Sequence, residues 1–279
     1  MAERAHPHIS VVIPLYNEAD NLGDLHRELT AALVGTGREY EILLVDDGST
    51  DATREKLLAL EEHDPRVRAV LLRRNFGQTA AFSAGFDRAR GALVVTSDGD
   101  LQNDPADIPA LVAKLEAEDL DMVCGWRRRR RDPLSKRIPS FFANRLISWA
   151  TGVKLHDYGC SLKVMRAEVS RGLRLYGEMH RFIPAVASWM GVSLAELPVG
   201  HRPRTRGRSK YGLGRTVRVL LDLVTVKFLL SYGTRPAHLF GLMGELLVRT
   251  WHESQGKPIY VVQEHRRVMD AAEPTPARR

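Results

Sequence analysis

Short apolar runs alternate with longer amphipathic stretches through the first half of the chain. The runs at 8–15, 39–45, 67–72, 92–96 and 122–124 are almost wholly apolar and predict strands. Between them, 19–34, 51–62, 78–90 and 106–118 carry apolar residues at helical spacing. Thr50 or Asp51, and Pro105, mark two of the helix entries. Strands apolar on both sides and separated by helices predict an α/β fold with a mainly parallel sheet covered on both faces. Such sheets bind ligands beyond the carboxyl ends of their strands.

The second half is less regular. A basic loop is expected at 126–135, a helix at about 135–150, a strand at 159–165 and a helix at 182–190. Residues 201–210 hold glycine and proline breakers among cations and predict a loop. In 213–230, Leu213, Val217, Leu220, Leu221, Val224 and Phe228 share one stripe, with Arg215, Arg218, Asp222 and Lys227 elsewhere. That helix either packs on the domain or lies on a membrane surface as a basic amphipathic helix.

Three of the apolar runs end in polar clusters: Pro14-Leu15-Tyr16-Asn17-Glu18, Asp46-Asp47-Gly48-Ser49 and Asp98-Gly99-Asp100-Leu101-Gln102. Alternation along an extended chain puts Asp98 and Asp100 on one side. Two hard oxygen donors at a strand end suit Mg2+ or Mn2+, which bind through one or two carboxylates plus a substrate diphosphate. Asp and Gly also favour plain turns, and Asn17 could cap a helix.

Charge sharpens this picture. Forty-one Lys and Arg against 34 Asp and Glu give a net charge of +7, which suits phosphate-rich partners. The cations cluster in the arginine run 127–131 and between Arg202 and Lys210. A nucleic-acid-binding module would share that charge, but no helix-turn-helix, RNA-recognition or zinc string accompanies it. Cys124 and Cys160 are the two cysteines, too few for a zinc site or a disulfide framework. No apolar run precedes Ile9, so no secretory signal is expected, and no run reaches the roughly 18 residues of a bilayer-crossing helix.

The three strand-end clusters resemble glycosyltransferase family 2, the inverting nucleotide-sugar transferases with a GT-A (Rossmann-like) fold. Four later strings narrow the resemblance to its polyprenyl-phosphate branch: Asn103-Asp104-Pro105 after the carboxylate pair, His156-Asp157-Tyr158-Gly159-Cys160-Ser161-Leu162-Lys163, Tyr176-Gly177-Glu178-Met179-His180-Arg181-Phe182, and Gly207-Arg208-Ser209-Lys210-Tyr211. The likeness covers about residues 8–263. It implies a GT-A catalytic domain over 1–212, amphipathic membrane-interface helices over 213–263, and a disordered tail at 264–279. Arg235 to Gly244 and Glu245 to Thr250 look like the two flanks of a transmembrane hairpin, here directly abutted, which implies an internal deletion.

The resemblance also implies roles. Pro14, Tyr16, Glu18, Asp46, Asp47 and Asp98 would contact the nucleotide, and Asp98, Asp100 and Gln102 the metal. Asp100 and Asp157 would be catalytic, Asp157 by positioning the acceptor or taking a residual proton. Arg127, Arg137, Arg202, Ser209 and Lys210 would hold the acceptor phosphate, with Glu178, His180 and Arg181 near the sugar. The implied partners are a nucleotide-diphosphate sugar (UDP-hexose before GDP-mannose), a polyprenyl phosphate and the cytoplasmic face of the cell membrane, with no nucleic acid. Homo-oligomers occur in the branch. A family 2 transferase acting on polysaccharide is the alternative, although the Gln-x-x-Arg-Trp string of processive synthases is absent.

Overall fold

The computed structural model describes residues 7–128, 144–149, 151–203, 224–225, 243–254 and 262–264. Eight strands form one sheet: β1 (Ile9–Leu15), β2 (Tyr40–Asp46), β3 (Val67–Leu72), β4 (Leu93–Thr96), β5 (Met122–Trp126), β6 (Lys163–Arg166), β7 (Leu194–Pro198) and β8 (Val262–Glu264), in the order β7-β5-β6-β4-β1-β2-β3-β8. β1 pairs in parallel with β2 and β4, β2 with β3, and β5 with β7. β6 runs antiparallel between β4 and β5, and β8 antiparallel beside β3.

The chain builds β2 and β3 on one side of β1 and returns with β4 on the other. The strand order therefore reverses between β1 and β4, and a crevice opens there beyond their carboxyl ends. Both the Pro14–Glu18 cluster and the Asp98–Asp100 pair fall at that reversal.

The central strands divide their side chains between two cores. Ile9, Val11, Ile13 and Leu15 of β1 face one side with Ile42, Leu44 and Val95. Helices α1 (Leu22–Val34), α2 (Thr53–His63) and α4 (Ile108–Ala117) close that side. Leu22, Leu25, Leu29 and Leu33 follow the helical repeat and are buried; cutting one to Ala costs about 2–5 kcal/mol. Val12, Leu43, Val45 and Val94 face the other side, under α3 (Gln78–Phe86), helical residues 144–149, α5 (Ala167–Gly172) and α6 (Ile183–Trp189). A Cβ on Gly85 would stand 2.2 Å from Val12 Cγ1, so α3 lies directly against β1. A further helix, α7 (Met243–Ser254), precedes β8.

Several boundaries differ from the sequence expectation for physical reasons. α1 starts at Leu22 rather than 19, because the preceding residues bond to the loop after β2 and the start of α2: the Asn17 N–H donates to Ser49 Oγ and the Glu18 N–H to Thr53 Oγ1. Asn17 is therefore not a helix cap and holds a left-handed φ of 54°. α3 stops at Phe86 because Arg90 turns back, its N–H donating to Glu41 at 2.8 Å. β7 and β8 were not expected. Of the expected helices at 135–150 and 213–230, residues 144–149 and 224–225 are helical and the rest lies outside the described residues.

Candidate active site

At the carboxyl end of β4 the chain turns through Ser97 to Gln102. A Cβ on Gly99 would meet Leu15 Cδ2 at 2.5 Å, so the turn is seated against the end of β1. Leu101 sits at φ 59°, a conformation that costs an L-residue about 1–2 kcal/mol. Two bonds hold it: Gln102 N–H donates to Asp100 Oδ1 at 3.1 Å, and Arg202 N–H donates to Gln102 O at 2.9 Å. Strain of this kind persists where the surroundings over-determine it, typically at functional sites. Asp100 is buried and Asp98 half-buried. Asp98 Oδ1 accepts from Gln78 Nε2 at 2.6 Å.

Gln78 did not emerge from the sequence. The available signal was positional: it opens the helix after β3, so it too stands at the carboxyl edge.

The end of β2 supplies two more buried carboxylates. Asp46 accepts from Ser49 N–H at 2.9 Å and from Arg54 Nε at 3.0 Å. Asp47 accepts from the Phe76 and Gly77 N–H groups at 2.7 and 2.9 Å and so ties down the loop entering α3. Burial pushes the Asp47 carboxyl up to about 6, with Asp46 adding to the rise and the two N–H donors and Arg74 opposing it. Gly48 follows at φ 69°, where a Cβ would lie 2.4 Å from the Arg74 carbonyl carbon. Pro14, Tyr16 and Glu18 are half-buried at the end of β1, with Glu18 Oε2 accepting from Asn21 Nδ2 at 2.7 Å.

Asp157 is buried and fully engaged. Arg127 Nε and Nη2 donate to its two oxygens at 2.7 and 2.9 Å, joined by the Gly159 N–H at 3.1 Å and a longer bond from the Arg127 N–H at 3.3 Å. The pairing with Asp157 raises the already high pKa of Arg127 against the opposing effect of burial. Glu196 of β7 supports the same loop, accepting from the His156 N–H at 2.9 Å, and the His156 ring stacks on Trp126 at 4.2 Å.

Arg202 turns elsewhere. Its Nη1 bonds Glu28 Oε2 at 2.6 Å and its Nη2 pairs with Asp104 Oδ1 at 2.7 Å. Arg127 and Arg202 thus have separate acidic partners rather than facing one cluster of cations. Arg137, Ser209 and Lys210 lie outside the described residues. His180 Nδ1 bonds Thr79 Oγ1 at 2.8 Å, which sets the 178–181 segment beside the start of α3.

The donor set fits a divalent cation of the hard class. Among the described residues no group of three or more His, Cys, Asp or Glu could hold a metal. Asp98 and Asp100, two hard oxygen donors on one turn, are of the type that could hold such a cation with a substrate diphosphate completing its shell.

The sheet order, the switch-point crevice and its carboxylates together define a GT-A domain. The chain belongs to glycosyl transferase family 2, whose family model matches residues 10–173. It is 50% identical over 243 residues to the dodecaprenyl-phosphate galacturonate synthase of Rhizobium johnstonii, covering 85% of this chain and 71% of that protein. It is 43% identical over 237 residues to the undecaprenyl-phosphate 4-deoxy-4-formamido-L-arabinose transferase of Pseudomonas paraeruginosa, covering 85% and 68%. Among solved structures, glucosyl-3-phosphoglycerate synthase from Mycobacterium tuberculosis, in complex with Mn2+ and UDP-glucose, superposes with a TM-score of 0.61 at 21% identity, covering 80% of each chain. That likeness establishes the fold.

Proposed function

We propose that this protein transfers a sugar from a nucleotide-diphosphate donor to a polyprenyl phosphate, with inversion at the anomeric carbon. The observation that carries this reading is the Asp98–Asp100 turn seated against the end of β1 at the strand-order reversal. The acceptor class rests on the two curated relatives, both named for polyprenyl-phosphate products or substrates. UDP is the preferred donor base, with GDP the alternative.

In this reading Pro14, Tyr16, Glu18, Asp46 and Asp47 line the nucleoside end. Asp98 and Asp100, assisted by Gln102, would hold Mg2+ or Mn2+, which would offset charge growing on the departing diphosphate. A phosphate-monoester oxygen attacks the anomeric carbon, the bond from that carbon to the diphosphate oxygen breaks, and the nucleoside diphosphate leaves with the electron pair. The attacking oxygen is already anionic near neutral pH, because the second pKa of such a phosphate is about 6. No strong base is then needed, which agrees with an Asp157 committed to Arg127. Asp157 aims the guanidinium, which would meet an acceptor oxygen. Arg137, Ser209 and Lys210 complete the phosphate site in this proposal. Arg202 joins only if it leaves Glu28 and Asp104.

The test is transfer from a panel of UDP- and GDP-sugars to a short, water-soluble prenyl phosphate with Mn2+, read by mass spectrometry. The expected product is a sugar–phosphate–prenyl diester, β-linked from an α-linked donor. Turnover with sugar hydroxyl acceptors alone would replace this reading with the polysaccharide one.

A further inference from the structure

The segment that leaves β7 is laced onto the turn that carries the candidate metal carboxylates. Val199 N–H donates to Trp126 O at 2.9 Å, and Gly200 N–H to Asp107 Oδ2 at 2.7 Å. His201 forms an antiparallel bridge with Asn103, and Arg202 N–H donates to Gln102 O at 2.9 Å. Gln102 is thus held by both backbone groups, its own N–H donating to Asp100 Oδ1 at 3.1 Å. Left-handed Leu101 lies between Asp100 and Gln102, so these bonds bracket the strained residue.

The Arg202 guanidinium fastens that segment. Its Nη1 donates to Glu28 Oε2 of α1 at 2.6 Å, and its Nη2 pairs with Asp104 Oδ1 at 2.7 Å. Asp104 Oδ1 also accepts from Ala106 N–H at 3.0 Å, at the entry to the helical turn Pro105–Asp107. One cation therefore ties together α1, the residues after the metal turn and the residues after β7. Arginine suits this post because its planar fork serves two carboxylates at once, where lysine offers a point charge. The Arg202 side chain is 39% exposed and each carboxylate 28%, so the pairs add little to global stability. Their effect is geometric.

We infer that Arg202 is a positioning residue for the divalent cation: it fixes the Gln102 carbonyl and, through it, the turn that carries Asp98 and Asp100. This assigns Arg202 to the donor side of the reaction rather than to the acceptor phosphate, and it rests on the cation role proposed above for the two carboxylates. Mg2+ demands near-ideal octahedral geometry, and groups that orient a metal's ligands typically account for about 10- to 100-fold of its affinity. The sign of the effect is diagnostic. Charge alone would make loss of a neighbouring arginine strengthen cation binding, since like charges repel. Loss of a clamp weakens it.

The full chain is titrated with UDP at fixed Mn2+ by calorimetry, and the peptide spanning residues 98–104 is followed by amide hydrogen exchange without ligand. Arg202→Ala should weaken Mn2+-dependent UDP binding about tenfold and speed exchange in that peptide by a similar factor. The KM for a water-soluble prenyl phosphate should stay within about twofold of wild type. Arg202→Lys keeps the charge and loses the fork, so it should fall between wild type and Arg202→Ala. Glu28→Gln, on a helix with no assigned substrate contact, should move exchange and UDP affinity in the same direction by less. Tm should shift by no more than about 3 °C in all three variants, which separates a loosened turn from a melted fold. The two milder variants keep the test readable if Arg202→Ala melts early. Unchanged or tighter Mn2+-dependent binding in Arg202→Ala overturns the inference, and a raised acceptor KM beside it returns Arg202 to the acceptor phosphate. Exchange that does not change in any variant overturns it as well. A wild type that binds no UDP with Mn2+ counts against the proposed donor site, and the exchange comparison still decides whether Arg202 holds the turn.

Discussion

The two ends of the central strands both bury carboxylates, and Glu41 at one end differs from Asp47 and Asp98 at the other in what offsets its charge. At the amino edge Glu41, the second residue of β2, accepts from Ser10 Oγ at 2.7 Å, Arg68 Nη1 at 2.9 Å, and Arg90 N and Nε at 2.8 and 3.0 Å. Burial opposes its ionisation, but Ser10, Arg68 and Arg90 outweigh burial and hold its pKa below the ordinary value. At the carboxyl edge Asp47 is bound by neutral N–H groups with Asp46 beside it, and its pKa is raised. Asp98 is met by a neutral amide and Asp100 by a backbone N–H. The amino edge neutralises its negative charge internally. The carboxyl edge is mixed: Asp46 pairs with Arg54 and Asp157 with Arg127, whereas burial raises the pKa of Asp47 and Asp98 accepts from a neutral amide. A buried carboxylate alone does not mark a site; its place at the strand-order reversal together with a perturbed environment makes it a candidate.

The sharpest break in that comparison is Asp100→Asn. It keeps the shape and removes one charge at the carboxyl edge, and turnover should fall on the order of a thousandfold with little change in melting temperature. Steady-state kinetics and a thermal melt on the same preparation check it. Glu41→Ala should do the reverse. It strands two arginines and destabilises the fold by about 3 kcal/mol, read by urea denaturation, while turnover per folded molecule stays within about twofold.

Smaller effects sharpen the contrast. Gln78→Ala removes the amide that orients Asp98, and kcat should drop about tenfold with acceptor KM unchanged. The smallest concerns pH. Folded Asp47 holds its proton up to about 6, against 3.8 ordinarily, so its contribution to stability grows as pH falls from 6 toward 3.8. Asp47→Asn should flatten that part of the stability curve relative to wild type, whereas Glu41, with its lowered pKa, contributes stability that is lost as pH falls. Melting temperatures taken from pH 7 to below the ordinary Glu value of 4.5 separate the two.

Much of the carboxyl edge was legible in the sequence because apolar strands and the polar clusters that end them are local patterns. The order of those clusters fixed which carboxylates could meet. What was not legible is pairing across long separations. Nothing near Asp157 announces Arg127, 30 residues before it, and nothing near Arg202 announces Glu28, 174 residues before it. The antiparallel sense of β6 is likewise absent from its own apolar run, since strand direction is set by partners. β7 escaped because it lies at the end of the sheet and is half-exposed along most of its length, without clean alternation.

We expect the carboxylates at the end of β4 to bind a divalent cation together with a nucleoside diphosphate. Calorimetric titration of UDP into the protein, with and without Mn2+, tests it most directly, with GDP as the comparison. Binding should require Mn2+ in wild type and in Asp157→Asn, and should disappear in Asp100→Asn even when the metal is saturating. Equal, metal-independent affinity in wild type and Asp100→Asn would contradict the account.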